Sequence, residues 1–303
     1  GMWWVHDGLA NRGGLPTHTG LLNYPDGGSL FFIDTFNALW TAPFQRLFGL
    51  PFAYNFAILM GVAWTAFGAW ALAFYVMRDK AAASVAAVAF GCNAHLLGQT
   101  YNGITETVNA GWIPLFLLAL LKLVERPSWR RGIVLGFFFA LCALSNFYYC
   151  LFCILIGIVV LIHLGISDGR RVRWKPLFLW GFAAVLVAVV LVFPVLSVLS
   201  DTMGQSDAMV SRDPDFVWDS LMNHNYTDVV GFLRPGKNYS PDLKADYGED
   251  LIIVTYLGWV VLGLAAMSFF FQRRRRELSL WAILVLVFLV FALGPYLHVG
   301  SGT

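Results

Sequence analysis

The chain has 303 residues, of which 58% are hydrophobic and only 13% charged, with a net charge of +2 and a mean hydropathy of +0.67. This composition excludes intrinsic disorder, which needs low hydrophobicity and high charge, and a nucleic-acid module, which needs a concentrated basic face. Four cysteines in such a length exclude a disulfide scaffold, and the class left is an all-α polytopic membrane protein, a bundle of transmembrane helices.

No charged segment or signal peptide stands before Trp3-Trp4. The last residues, 298–303, stop just past an apolar run. We therefore expect a fragment truncated at both ends. Residues 1–49 read as an outer loop with interfacial helices. NYPDGG, at 23–28, has the residues of a turn. Residues 30–50 are apolar but interrupted by Asp34, Asn37, Pro43 and Arg46, the pattern of short amphipathic helices at an interface. Trp3, Trp4 and Trp40 suit an aromatic belt. Asp7, Asp26 and Asp34 each offer a carboxylate to a divalent cation such as Mg or Mn, or to an ordinary turn or helix cap. No two have the close spacing that would specify a metal site.

A membrane-spanning helix needs about 20 mostly apolar residues. Runs near that length are 50–77, 81–98, 176–199, 251–271 and 278–294, with a shorter one at 110–124. Residues 132–166 form a 35-residue stretch without Asp, Glu, Lys or Arg. As one helix it would be about 52 Å long, against a hydrocarbon core of about 30 Å. Two helices joined near Ser145-Asn146 are expected, because both residues compete for backbone hydrogen bonds and favour turns. The count is then about eight spans in one domain over 1–303: an outer loop at 1–49, six spans at 50–199, a second outer loop at 200–250, and two spans at 251–294.

Charge supports that count. Arg78/Lys80, Lys122/Arg126/Arg130/Arg131, Arg170/Arg171/Arg173/Lys175 and Arg273 to Arg276 hold 14 of the 20 basic residues. With the hairpin at Ser145-Asn146 all four groups fall on one side, as the concentration of Lys and Arg in cytoplasmic loops requires. The opposite side receives 14 of the 18 acidic residues. We read it as periplasmic or extracellular and as the side where function lies.

Candidates for chemistry follow from those outer segments. Glu106 is the only charge in the loop 99–109 and lies at the membrane boundary, where an ionisable group is either functional or a helix-start carboxylate. His95 stands near the outer end of its span. Tyr148 and Tyr149 follow the break at Asn146. Arg234 and Lys237, in the loop 200–250, can grip a phosphate or simply be surface charge. Cys142, Cys150 and Cys153 lie in apolar surroundings, and Cys150-x-x-Cys153 reads as one turn of buried thiols. No Gly-rich phosphate loop, HExxH or GxSxG is present.

The order WWVHDGLANRG, LLNYPDGGSLFF, NALWTAPFQRLFGLPFAYN, NGITETVNAGWIPLFLLALLKLVERP, ALSNFYY, FLRP, YLGWVVLGL and ALGPYLHVG runs along nearly the whole chain. It resembles bacterial polytopic glycosyltransferases of the GT-C superfamily, the YfhO-like and dolichyl-phosphate-mannose-transferase-like groups. The resemblance implies transfer of a sugar from a polyprenyl-phosphate-linked donor to a glycan, lipid or protein acceptor. It implies transfer on the outer face of the bacterial inner (plasma) membrane, by an inverting displacement. It also implies an acidic residue directly after a first membrane helix, acting as general base or metal ligand. That position falls before Trp3 here, and Asp7 is the nearest carboxylate. Glu106 and Arg234 fall in stretches that match family regions bordering the donor pocket.

Two other readings stand beside this one: a lipid or solute transporter or flippase, and a non-catalytic subunit of cell-envelope assembly. The first would place ionisable groups inside spans, where this sequence has almost none. On the transferase reading, Glu106→Gln and Arg234→Ala each reduce transfer with little effect on membrane insertion. Unchanged activity in either variant removes that residue.

Overall fold

The computed structural model of the chain describes residues 1–15, 18–21, 25, 27–29, 34–168, 172–203, 215, 218, 227–235, 254–271, 275–295, 297, 299 and 300. Helices dominate it. Helix α1 (Met2–Asp7) runs into a π-helical turn, Gly8–Arg12, which ends at Gly13 with φ of 72°. A two-residue antiparallel bridge joins β1 (His18–Thr19) to β2 (Gly28–Ser29) across the NYPDGG segment. Helix α2 (Thr35–Phe48) starts at Asp34, whose side chain accepts from the Asn37 amide and caps the helix.

The apolar runs follow as helices. Helix α3 (Leu50–Met77) has Pro51 in its first turn and ends at Arg78 in a left-handed conformation. Helix α4 (Lys80–Gly91) is capped by Asp79 and α5 (Ala94–Tyr101) by Asn93. Helices α6 (Thr105–Val108) and α7 (Trp112–Glu125) form one interrupted span. Helices α8 (Trp129–Ser145) and α9 (Phe147–Asp168) meet at Asn146, which is extended at φ −158° and ψ 127°. Its side-chain oxygen accepts from the Tyr148 amide, so the residue that breaks one helix starts the next. Helix α10 (Trp174–Met203), a 3₁₀ turn at Val229–Phe232, α11 (Trp259–Phe271) and α12 (Arg275–Ala292) complete the described chain.

The chain is an integral membrane protein. The fold is the expected all-α membrane bundle. Among the described residues, four spans are long and apolar enough by length and composition to cross a membrane, against the eight expected: 50–77, 105–125, 147–167 and 174–198. A fifth is reached if α4 and α5, bent by 44° at Cys92-Asn93, count as one. Helix α8 has 17 residues, α11 has 13, and the apolar part of α12 is Leu278–Ala292. At 1.5 Å per residue these are shorter than a hydrocarbon core of about 30 Å. Asn146 stops α8 at the expected break, and residues 254–258 before α11 are not helical.

Close approaches fix the helix directions. On α8, Gly132 faces the Trp180 carbonyl of α10 and Gly136 the Ala184 carbonyl. The register rises on both, so α8 and α10 run parallel and α9 must return between them. This is the geometry the hairpin reading requires. On α3, Gly61 faces Val108, while Thr65 donates to the Val108 carbonyl at 2.6 Å and accepts from the Gly111 amide at 3.0 Å. So α3 runs parallel to α6 and α7. Gly91 of α4 meets Ala66, which makes α3 and α4 an antiparallel pair.

The basic groups therefore collect at one end. Arg78 and Lys122 both lie over the Tyr75 ring, and Arg131 donates to the carbonyls of Lys122 and Arg126. The parallel α8–α10 pair brings Arg173 and Lys175 to the same end. Phe152, near the start of α9, packs on Phe288, near the end of α12. The N-terminus of α12 thus joins that end as well. Span 105–125 is the central one, with 67% of its apolar window buried against 22–28% in the other three. The large apolar cluster surrounds it, from Trp112 to Leu123 on α7 through Leu135, Cys142, Val160, Leu177 and Leu284.

A side chain at Gly136 would collide with backbone, which cannot move aside cheaply, and overpacking of this kind costs about 1–3 kcal/mol. Gly136→Val is expected to lower the melting temperature in detergent. Gly157→Ala on α9, where nothing lies within 4 Å, is expected to leave it unchanged or raised. Equal melting temperatures for the Gly136 variant and wild type would refute the close α8–α10 contact.

Candidate functional site

The end of the bundle opposite the basic groups holds a network centred on Asp34. One carboxylate oxygen accepts from the Thr105 hydroxyl at 2.5 Å and from the Asn37 side-chain amide at 2.9 Å. The other accepts from the Asn37 backbone at 3.3 Å. Asn37 also donates to the Thr105 carbonyl at 3.2 Å and accepts from the Trp40 indole at 2.8 Å. Asp34 is 8% exposed and Asn37 fully buried. The start of α2 is thus fastened to the start of α6, 71 residues away in sequence.

Glu106 follows Thr105 on the four-residue helix α6. Two tyrosines hold that helix from either side. The Tyr54 hydroxyl of α3 donates to the Gly103 carbonyl, and the Tyr149 hydroxyl of α9 donates to the Thr107 carbonyl. An aromatic wall stands beside it: Trp112 lies 5.2 Å from Phe36, 5.7 Å from Trp64 and 6.4 Å from Phe138 between ring centroids. Several buried polar atoms at this end have no hydrogen-bond partner among the described residues, namely both amide atoms of Asn109, the Trp112 indole nitrogen and the Ser145 hydroxyl.

Burial raises the Asp34 carboxyl to about 6. Loss of water disfavours the charged form. The bonds from Thr105 and Asn37 oppose that rise, and the nearby negative Glu106 adds a little to it. A carboxyl titrating near 6 exchanges protons close to neutral pH, as a general base must.

The structure separates the residues expected from sequence. It brings Glu106 and Tyr149 to this site. Asp7 sits at the far end of α1, ion-paired to Arg12 at 3.3 Å and bonded by the Asn11 amide at 2.7 Å. Gly1, at the other end of α1, is the part of that helix near Asp34 and Glu106. Tyr148 is 68% exposed. His95 is exposed on α5, its Nδ1 3.2 Å from the Val254 carbonyl. Arg234 is exposed after the 3₁₀ turn, and no contact with Asp34 is seen. Lys237 and Asp26 lie outside the described residues. Cys142 and Cys153 meet across the α8–α9 hairpin at 3.5 Å as free thiols.

Asp34 is the residue that sequence reading undervalued. Its helix-cap role is real, yet the same carboxylate is buried against α6. The spacing Asp34-x-x-Asn37 was the one local signal, since it places cap acceptor and donor together. Among the described residues no three His, Cys, Asp or Glu side chains converge.

The raised carboxyl makes a stability prediction. A folded-state value above the unfolded one of 3.8 means that Asp34 binds its proton more tightly in the native protein. Its contribution to stability is most favourable below 3.8 and is lost as pH rises through about 6. At pH 7 the charged carboxylate costs on the order of 2–3 kcal/mol. Asp34→Asn should therefore melt at or above wild type at pH 7, with the difference shrinking as pH falls to 5. A pH-independent difference would refute the burial penalty.

No protein of curated function and no solved structure matches the chain. Residues 12–303 match the family described as a domain of unknown function, DUF6311. That match covers nearly the entire bundle, including α2, α6 and the Asp34 network, and the chain belongs to the DUF6311 family.

Proposed function

We propose that the protein is a membrane glycosyltransferase that moves a sugar from a polyprenyl-phosphate donor to a hydroxyl acceptor at the polar end of its bundle. The observation that carries this reading is Asp34: a buried, rigidly held carboxyl raised to about 6, with Glu106 beside it, at the end opposite the basic groups. Asp34 takes the proton from the acceptor hydroxyl as the new glycosidic bond forms and the lipid phosphate leaves. Its burial makes it a stronger base than a solvated aspartate, and Thr105 and Asn37 fix its direction. Asp34 takes this role in place of Asp7, because Asp7 stands at the far end of α1 from the Asp34–Glu106 site. Glu106 keeps its place as a second acidic group. The polar end faces the periplasm or exterior on this reading, because the basic end faces the cytoplasm. The lipid tail lies along exposed apolar helix surface.

One observation favours the transporter alternative, the 44° break between α4 and α5, since broken helices mark many transport sites. Both readings are tested in the same proteoliposomes. A panel of polyprenyl-phosphate monosaccharides is supplied, and transfer and solute flux are each followed. Transfer is expected in wild type and reduced about 100-fold or more in Asp34→Asn, the scale of a lost general base. The wild-type rate falls as pH drops below about 6. Glu106→Gln moves that limb downward, because it removes a like charge. Flux without transfer, or a full rate in Asp34→Asn, would sink the proposal.

A further inference from the structure

The basic end carries an arrangement that topology alone does not require. Arg78 is the one non-glycine residue among those described with positive φ, at 58° and ψ 22°. It ends α3 in a conformation that ordinarily selects Gly or Asn. An outlier of this kind calls for a reason. In that conformation the guanidinium lies 5.0 Å from the centroid of the Tyr75 ring. From α7, the Lys122 ammonium lies 5.3 Å from the same centroid. Two cations from two helices thus converge on one aromatic ring, where each gains cation–π attraction but repels the other.

Neither cation is neutralised. Among the described residues the only ion pair is Asp7–Arg12, at the other end of the molecule. The nearby acids form no ion pair with either cation: Asp79 accepts from the Ala82 amide at 2.7 Å, and Glu125 is exposed at the end of α7. Arg131 pins the end of α7 through the carbonyls of Lys122 and Arg126, which holds the Lys122 backbone in place. Directly beside Arg78, Val76 and Met77 are 39% and 48% exposed. The pair of charges therefore stands at the margin of apolar, lipid-facing surface.

We propose that Arg78 and Lys122, set on Tyr75, bind the phosphodiester of an anionic phospholipid in the leaflet at the basic end. A single phosphate relieves the repulsion between the two cations and accepts from the Arg fork and the Lys ammonium. The exposed Val76 and Met77 meet the acyl chains, which favours a membrane lipid over free phosphate. The site is independent of the chemistry at the polar end.

The test uses the full chain in nanodiscs of mixed phosphatidylglycerol and phosphatidylcholine, with retained lipids counted by native mass spectrometry. Wild type is expected to hold phosphatidylglycerol about tenfold above its share of the bilayer, because basic residues near the surface attract anionic lipid. The double variant Arg78→Gln/Lys122→Gln is expected to fall to the bulk ratio. Tyr75→Leu leaves every charge and hence the membrane orientation intact, and is expected to lose part of the enrichment. Inorganic phosphate is expected not to displace the lipid. Wild type at the bulk ratio, undiminished enrichment in the double variant or in Tyr75→Leu, or displacement by inorganic phosphate would each overturn the assignment.

Discussion

The hydrogen bonds that Thr105 and Asn37 give to one buried carboxylate hold the polar end of this protein together. Without them Asp34 would be an uncompensated charge in apolar surroundings, a strongly unfavourable state. With them the start of α2 is tied to the start of α6, and α6 is in turn gripped by Tyr54 and Tyr149 from α3 and α9. Four elements far apart in sequence meet around residues 103–107. Even so, the bonds only partly offset burial, and the carboxyl remains near 6. A group kept in an environment that disfavours its charge is stored reactivity, and this is why it stands at the centre of the functional proposal.

The second constraint is the approach of helix backbones at small residues. Gly132 and Gly136 let α8 lie directly on α10, and Gly61, Thr65 and Gly111 do the same for α3 and the α6–α7 span. In a bilayer the helices gain little from excluding apolar surface, so contact of this kind carries much of the packing. The pairings also set direction. Parallel α8 and α10, with α9 returning, put the basic clusters at one end and leave the other end to Asp34, Glu106, Asn146 and Tyr149. Chemistry and charge are thereby separated along the length of the molecule, and each end carries its own ligand proposal.

Much of this architecture was legible in the residue order. The uncharged 35-residue stretch was too long for one crossing, and Ser145-Asn146 was the place to break it. The basic clusters then sorted the loops by side. Glu106 stood out because it was the one charge at a boundary. Span lengths were less legible: hydropathy marks the apolar runs, but residues 254–258 before α11 are not helical. The bend at Asn93 was visible only as a polar interruption.

Composition, run length and charge order by themselves determined that this chain is an all-α membrane protein, where its hairpin turns, and which loops share an end. These are one-dimensional properties, because insertion and topology respond to local hydropathy and to local charge. Tertiary structure alone decided which carboxylate is buried. Asp7 and Asp34 look alike in sequence, each an aspartate near a helix end. One finds Arg12 and Asn11 within its own turn and stays satisfied at the surface, and the other is covered by a helix from 71 residues away. Burial and hydrogen-bond partners depend on what packs across the bundle, and no local pattern around Asp34 records the arrival of Thr105.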